Sequence, residues 1–237
     1  MANFEVLAGA TIAFDLDGTL VDTAPDLIAT LNVLLEQEGV APVLIAQARP
    51  FIGHGARHLI ERGLAAQGRV ADETELDDLL SRFINHYKDH SADLSVPFPG
   101  VAESLTALKA AGARLAVCTN KLTWLSTPIL EALDLSRYFD AVIGADAAPA
   151  RKPDPRHLVT AVQAAGGDIR RAVMVGDAAT DAGAARAAGT SLVLVSFGYT
   201  ETPVTELGAD VLIDHFDELI DACRSLLTAC PAMSGGL

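Results

Sequence analysis

From residue 96 onward, the chain alternates short apolar runs with stretches in which apolar residues recur at helical spacing. These apolar runs predict strands at about residues 113–118, 141–143, 172–175, 191–195 and 210–213, and the run at residues 11–14 predicts an earlier strand at about residues 11–15. Helices are predicted between them, at residues 101–111, 124–133, 155–165, 180–188 and 216–228. Short, continuously apolar strands separated by helices are typical of parallel sheets that are covered on both faces. The pattern therefore predicts an α/β fold with a doubly wound parallel sheet.

Residues 24–93 interrupt this alternation, since they contain helical patterns and no convincing strand. A leucine pattern predicts a first helix from residue 24 to a stop near Gly39, and further helices are predicted at residues 44–49, 55–66 and 72–90. Two prolines within residues 96–100 indicate the return to the sheet. We therefore predict a core domain of residues 1–20 and 96–237, an inserted all-helical domain of residues 21–95, and a disordered tail at residues 231–237.

The net charge of the chain limits which kinds of molecule it can bind. The sequence has 17 basic and 31 acidic residues and a net charge of −14, so its long-range field repels nucleic acid and anionic membranes. A small phosphorylated substrate is compatible with this charge, because a cation and a few basic side chains can reverse the potential inside a cleft. Cys118, Cys223 and Cys230 show no disulfide framework, and neither a signal peptide nor a transmembrane run is evident. We expect a cytoplasmic protein with reduced thiols and a small-molecule partner, either a monomer or a homodimer.

Polar residues follow four of the apolar runs, at or shortly after the point where each run ends. They are Asp15 and Asp17; Thr119, Asn120 and Lys121; Lys152; and Asp177 and Asp181. Because the carboxyl ends of parallel strands meet at one edge of a sheet, we expect these side chains to form one site. Residues two apart on an extended segment point the same way, so Asp15 and Asp17 are expected to face that site together. Adjacent carboxylates repel each other, and oxygen ligands suit Mg²⁺, so the pattern predicts Mg²⁺ there.

The stretch Asp15-Leu16-Asp17-Gly18-Thr19-Leu20-Val21-Asp22 resembles the first signature of the haloacid-dehalogenase-like (HAD) hydrolase superfamily, in its phosphatase form. The other three polar strand ends match the remaining motifs of that superfamily in order and spacing. The resemblance implies a Rossmann-like core with a helical cap domain that is inserted after the first strand. It also implies that the cap closes over the site as a lid and excludes water.

The resemblance assigns a role to each acid. Asp15 resembles the nucleophile that becomes an aspartyl-phosphate. Asp17 resembles the general acid that protonates the leaving group and then the base that activates water. Mg²⁺ would be held by a carboxylate oxygen of Asp15, the backbone carbonyl of Asp17 and a carboxylate oxygen of Asp177. Asp181 would lie behind these ligands and orient water or Lys152.

The resemblance also implies how the phosphoryl group is bound. The Thr119 hydroxyl and the backbone N–H of Asn120 would bind phosphoryl oxygens. Lys152 would offset negative charge on Asp15 and on the transferring group.

A cap segment, Phe51-Ile52-Gly53-His54-Gly55-Ala56-Arg57, is similar to the phosphoglycolate phosphatase branch of the superfamily, as are Thr23-Ala24-Pro25-Asp26 and Phe197-Gly198-Tyr199. Phosphoglycolate adds a carboxylate to the phosphate, so the cap should offer it a donor. Arg57 is the first candidate and His54 the second. Arg57 could equally be a surface residue on the following helix.

The favoured interpretation is a Mg²⁺-dependent phosphomonoester hydrolase of carbohydrate metabolism that acts on 2-phosphoglycolate. Two alternatives stay within the superfamily: a phosphoryl transferase similar to β-phosphoglucomutase, and an inorganic pyrophosphatase. A third alternative is a non-catalytic relative that uses the cleft as a binding or regulatory module.

Overall fold

In a computed structural model, which describes residues 4–229, a six-stranded parallel sheet forms the core of the protein. The strands of these residues are β1 (Thr11–Phe14), β2 (Val21–Asp22), β3 (Val96–Pro97), β4 (Arg114–Cys118), β5 (Ala141–Ile143), β6 (Ala172–Gly176), β7 (Ser191–Val195) and β8 (Val211–Ile213). The sheet has the order β5-β4-β1-β6-β7-β8, and its neighbouring strands run parallel. The predicted doubly wound, Rossmann-like α/β fold is confirmed.

The strand order reverses at β1. From β1 the chain moves outward through β4 to β5, and then crosses to β6 on the other side of β1. Ligands of open α/β sheets bind at the carboxyl ends of the strands beside such a reversal. The fold therefore places the ligand site where β1 and β6 end.

Both faces of the sheet are buried, which explains why its strands are continuous apolar runs. In β1, Ile12 and Phe14 belong to one apolar cluster, whereas Ala13 belongs to a second cluster on the opposite face. In β6, Val173 and Met174 divide between the two clusters in the same way. Successive side chains of a strand point to opposite faces, so each strand needs apolar residues at every position to bury both.

The helices agree with the predicted ones within a few residues at each end, apart from two places. They are α1 (Ala24–Gln37), α2 (Ile45–Ala48), α3 (Ala56–Ala66), α4 (Glu73–Tyr87), α5 (Val101–Ala110), α6 (Thr123–Ala132), α7 (Pro155–Ala164), α8 (Ala179–Ala188) and α9 (Leu219–Ala229). The helix predicted at residues 44–49 is a single short turn that continues as a 3₁₀ segment, Arg49–Phe51. Pro50 has no N–H to donate and therefore disfavours a longer α-helix there. A 3₁₀ turn, Phe216–Glu218, likewise precedes α9.

Helices α1 to α4 form the insert, and the chain enters and leaves it through an antiparallel pair of two-residue strands. Strand β2 leads out of the core, β3 leads back, and the two pair directly with each other. The buried carboxylate of Asp26 accepts hydrogen bonds from the backbone N–H groups of Leu94 (2.9 Å) and Ser95 (2.8 Å), which ties α1 to the returning chain. The sequence pattern did not indicate β2 and β3, because two residues carry no detectable period.

Cys118 and Cys223 are buried free thiols. Cys230 and the tail predicted at residues 231–237 lie outside the described residues. Within residues 4–229, no helix combines the length and the apolar character that crossing a membrane requires.

Candidate active site

Three buried carboxylates meet where β1 and β6 end. Asp15 directly follows β1, Asp177 directly follows β6, and Asp181 lies in the first turn of α8. Each offers a carboxylate oxygen that lies within 4.8 Å of the others. Burial raises the pKa of Asp15 to about 6, with Lys152 opposing the shift and Asp181 adding to it. Burial together with Asp181 and Asp15 also raises the pKa of Asp177 well above its usual range.

Lys152 is the ammonium of this cluster. Its side chain is fully buried, and its Nζ lies 3.0 Å from Asp15 Oδ1 and 2.7 Å from Asp181 Oδ1. Burial lowers the pKa of Lys152, but the charges of Asp15 and Asp181 outweigh burial and raise it above its ordinary value. With all four groups ionised, the one ammonium leaves two negative charges uncompensated. A compact set of oxygen ligands with that charge fits a divalent cation.

Asp177 is fixed by a cradle of small and aromatic residues. Its Oδ1 accepts a hydrogen bond from the Thr19 hydroxyl (2.9 Å), and its Oδ2 accepts one from the Tyr199 N–H (2.6 Å). Gly18 has a φ of +82°, and a Cβ at that position would lie only 2.5 Å from Asp177 Oδ2. Glycine is therefore required at position 18 on two grounds, conformation and space.

Asp17 lies apart from the three-carboxylate cluster. Its carboxylate accepts hydrogen bonds from the Thr23 hydroxyl (2.6 Å) and from Lys121 Nζ (2.7 and 2.9 Å). Asp15 and Asp17 both line the cavity described below, but they are not neighbours on a strand, because β1 ends at Phe14 and the chain turns before Asp17. The carboxylates grouped with Asp15 are instead those of Asp177 and Asp181.

Lys121 connects Asp17 to the insert. Its side chain is nearly fully buried, and its Nζ lies 4.8 Å from the centre of the Tyr87 ring at the end of α4. Burial lowers the pKa of Lys121, but the neighbouring Asp17 carboxylate outweighs burial and raises it. The charged ammonium of Lys121 therefore holds the Asp17 carboxylate in place. The same ammonium contacts the insert through Tyr87.

A cavity of about 270 Å³ lies between the core and the insert, over these residues. Its polar wall contains Asp15, Asp17, Thr119, Asn120, Lys121 and Arg151 from the core, and His54, Arg57 and Tyr87 from the insert; its apolar wall includes Leu27, Ile52, Leu59, Phe83 and Leu125. The Asn120 amide donates hydrogen bonds to the carbonyl oxygens of Gly53 (3.5 Å) and Lys152 (3.1 Å), so it bridges the cap loop and the core. The volume suits a small metabolite.

The two cap residues predicted to contact the substrate carboxylate both line this cavity. The guanidinium of Arg57 is paired with Glu73 (3.2 Å) and with Asp77, which belong to α4. The His54 ring contacts the His58 ring at a centroid distance of 5.1 Å. Arg57 thus links two helices of the insert as well as forming part of the cavity wall.

Most of the chain matches one known protein family. The model of the haloacid dehalogenase-like hydrolase family matches residues 12–195, which include the acid cluster, Lys152 and the whole insert. The chain belongs to this family. The resemblance that the four strand ends indicated is thereby confirmed.

Relatives within the family indicate which type of hydrolase the chain resembles. The chain is 57% identical to a phosphoglycolate phosphatase from Caulobacter vibrioides over all 237 residues, covering 100% of both chains. It is 49% identical to a phosphoglycolate phosphatase from Mesorhizobium japonicum, covering 92% of this chain and 96% of the relative. A crystal structure of a predicted phosphoglycolate phosphatase from Haemophilus somnus superposes with a TM-score of 0.84 at 30% identity, covering 91% of this chain and 98% of that one. The family and these relatives support a phosphatase.

Several residues around the site of this family member had no role assigned to them from the sequence. Tyr199 donates its N–H to Asp177, and its hydroxyl contacts Asp22 of β2 and accepts the N–H of Ala24 (3.1 Å). Arg49 pairs with Asp22 (2.7 Å) and lies over the Tyr199 ring. These contacts link the acid cluster to the strand that enters the insert. Lys121 belongs with them, since the sequence placed it at a strand end without giving it a role.

Proposed function

We propose that the protein is a Mg²⁺-dependent phosphatase that hydrolyses 2-phosphoglycolate to glycolate and phosphate in the cytoplasm. The observation that supports this most strongly is Asp15 itself: it lies on a small cavity between the core and the insert, in contact with a buried ammonium and beside two further carboxylates. The names of the relatives, one of which is 57% identical over the full chain, support the substrate.

The chain's own groups suffice to outline two steps. In the first, a carboxylate oxygen of Asp15 attacks phosphorus, the bond from phosphorus to the ester oxygen breaks, and Asp17 gives its proton to the departing glycolate oxygen. In the second, Asp17 takes a proton from water, which attacks phosphorus and releases phosphate and the Asp15 carboxylate. Lys152 offsets charge on Asp15 and on the phosphoryl group, and the Thr119 hydroxyl and Asn120 N–H bind phosphoryl oxygens.

The acid cluster fits the proposed cation. Asp15, Asp177 and the backbone carbonyl of Asp17 would hold Mg²⁺, which supplies positive charge beside the transferring phosphoryl group when it is bound. Asp181 would lie behind these ligands and hold the site in place. Its Oδ1 accepts a hydrogen bond from Lys152 Nζ (2.7 Å), and its Oδ2 accepts hydrogen bonds from the N–H groups of Asp177 and Ala178 (3.1 Å each).

The proposed function is tested by phosphate release from a panel of substrates. We expect release from 2-phosphoglycolate to exceed release from β-glucose 1-phosphate, glucose 6-phosphate and pyrophosphate, and to stop in a chelating buffer until Mg²⁺ is restored. The Asp177→Asn variant should need a far higher Mg²⁺ concentration for activity than the wild type, since the substitution removes one negative charge from the ligand set. Preferential release from pyrophosphate, or conversion of β-glucose 1-phosphate to glucose 6-phosphate, would contradict the proposal and favour one of the two related activities.

Lys121→Met should lower kcat for 2-phosphoglycolate by about 10- to 100-fold, a part of what a positioned proton donor contributes. The reason is that the substitution removes the ammonium that holds the Asp17 carboxylate. Among the side-chain contacts described above, only the hydrogen bond from the Thr23 hydroxyl then remains. Steady-state kinetics would be compared with Lys88→Met, which removes an exposed lysine just after α4. A kcat that is unchanged or raised in Lys121→Met would contradict a positioning role for Lys121.

A further inference from the structure

One arginine on the cavity carries an uncompensated charge. Arg151 lines the cavity next to Lys152 in sequence. Among residues 4–229, its guanidinium has no ion-pair or hydrogen-bond partner. This is notable in a chain with a net charge of −14, in which most arginines have an acid beside them.

Arg57, the arginine that the sequence favoured for the substrate, differs in this respect. It faces the same cavity, but Glu73 and Asp77 already compensate its charge. An anion that approaches Arg57 meets two carboxylates as well as the guanidinium, so its net attraction is small. An anion that approaches Arg151 meets no such carboxylate within ion-pair distance among the residues that the structure describes.

The surroundings of Arg151 extend the positive region across the cavity. A Cβ placed on Gly55 would lie 3.6 Å from Arg151 Nη1, so the guanidinium lies against the cap loop that precedes α3. Gly55 is the residue before α3, no side chain caps the helix there, and its first turn contains no acid. The free N–H groups at a helix start carry partial positive charge. The guanidinium and the start of α3 therefore both favour an anion at the same place.

The position suits the second charge of a short substrate. In 2-phosphoglycolate, one methylene group and one ester oxygen separate the carboxylate from phosphorus. With phosphorus beside Asp15 and Lys152, the carboxylate must bind within the same cavity, and Arg151 is the cation on the wall of that cavity that has no acid partner among residues 4–229.

We infer that Arg151 binds the carboxylate of the leaving group and thereby sets the preference for an acidic phosphomonoester. The inference deepens the proposed function and rests on it. A charge-assisted hydrogen bond to a planar guanidinium also has geometric specificity for a carboxylate.

The test compares two substrates of equal length. Ethyl phosphate has a methyl group where 2-phosphoglycolate has its carboxylate, so the ratio of the two kcat/KM values isolates recognition of the carboxylate. Arg151→Gln should lower this ratio by about 10- to 100-fold, which corresponds to the loss of a hydrogen bond to a charged group. Arg151→Lys should restore part of it. The matched control is Arg156→Gln, which removes an arginine in the first turn of α7 that pairs with Asp154 and is not part of the cavity wall.

The outcomes separate the inference from the proposed function. If the wild type hydrolyses 2-phosphoglycolate and the ratio is unchanged in Arg151→Gln, the inference alone is overturned; a fall in the ratio confined to Arg57→Gln would overturn it in favour of Arg57. If both substrates lose activity equally in Arg151→Gln, the residue supports the site without reading the carboxylate, and the inference again fails. If the wild type releases no phosphate from 2-phosphoglycolate, both fail together.

Discussion

Asp15→Asn is expected to lower turnover of 2-phosphoglycolate by at least about 10³-fold, because the amide cannot attack phosphorus and no other carboxylate in the cluster occupies its place. Asp15 is the acid that follows β1, contacts Lys152 and lines the cavity, whereas Asp177 and Asp181 follow β6 and are not part of the cavity wall. Phosphate release under saturating Mg²⁺ measures the effect. Retention of more than about a tenth of wild-type turnover by a folded variant would contradict the role of Asp15 as nucleophile.

The stability of the same variant provides its control. In the metal-free protein, burial raises the pKa of Asp15 from an ordinary 3.8 to about 6. A raised pKa means that the contribution of Asp15 to the free energy of unfolding is present below pH 3.8 and is lost as the pH rises through about 6. Asparagine does not ionise, so the variant should be more stable than the wild type at pH 7 by about 1–3 kcal/mol, with the difference shrinking towards pH 4. Denaturant unfolding in a chelating buffer at the two pH values measures this. A variant less stable than the wild type at pH 7 would contradict the unfavourable burial of the Asp15 charge.

Lys152→Met should both inactivate and destabilise the protein. It leaves Asp15 and Asp181 buried without their ammonium, and removal of one partner from a buried ion pair costs about 3–5 kcal/mol. Activity should fall at least ~10²-fold, as for the loss of one preorganised donor to the reacting group. Denaturant unfolding should show a smaller destabilisation at pH 5 than at pH 7, because protonation relieves the unpaired carboxylates.

Lys109→Met is the matched control for this second variant. Lys109 pairs with Asp140 at 2.8 Å, but about a third of each side chain is exposed. Exposed pairs contribute at most about 1 kcal/mol, so this substitution should change stability little. Equal losses of stability in Lys109→Met and Lys152→Met would contradict the claim that burial makes the Lys152 ion pairs costly to break.

Much of the core could be predicted from the sequence because its signals are local. An apolar run followed by a helical pattern specifies a strand and its covering helix, and the carboxyl ends of parallel strands must meet. The sequence alone therefore predicts that Asp15, Thr119, Lys152 and Asp177 belong to one site. The structure places them at the same sheet edge.

The remaining features depend on pairing between residues far apart in the chain. Asp17 meets Lys121 across 104 positions, and Asp177 meets Tyr199 across 22. No periodic pattern encodes such contacts, and the same holds for the pairing of Arg57 with the acids of α4. This is why the sequence distinguished the roles of Asp15 and Asp17 only through the family resemblance, whereas the structure gives each its own lysine.

The most direct test of the proposed mechanism is to trap the phosphoryl group on the protein. Wild-type protein would be mixed with Mg²⁺ and 2-phosphoglycolate carrying a labelled phosphoryl group, quenched in acid at times from the first turnover to the steady state, and digested for mass spectrometry. We expect the label on the peptide that contains Asp15, sensitive to hydroxylamine and missing in Asp15→Asn. Phosphate release by the wild type with no label on that peptide at any time, or with the label on another residue, would contradict the proposed mechanism.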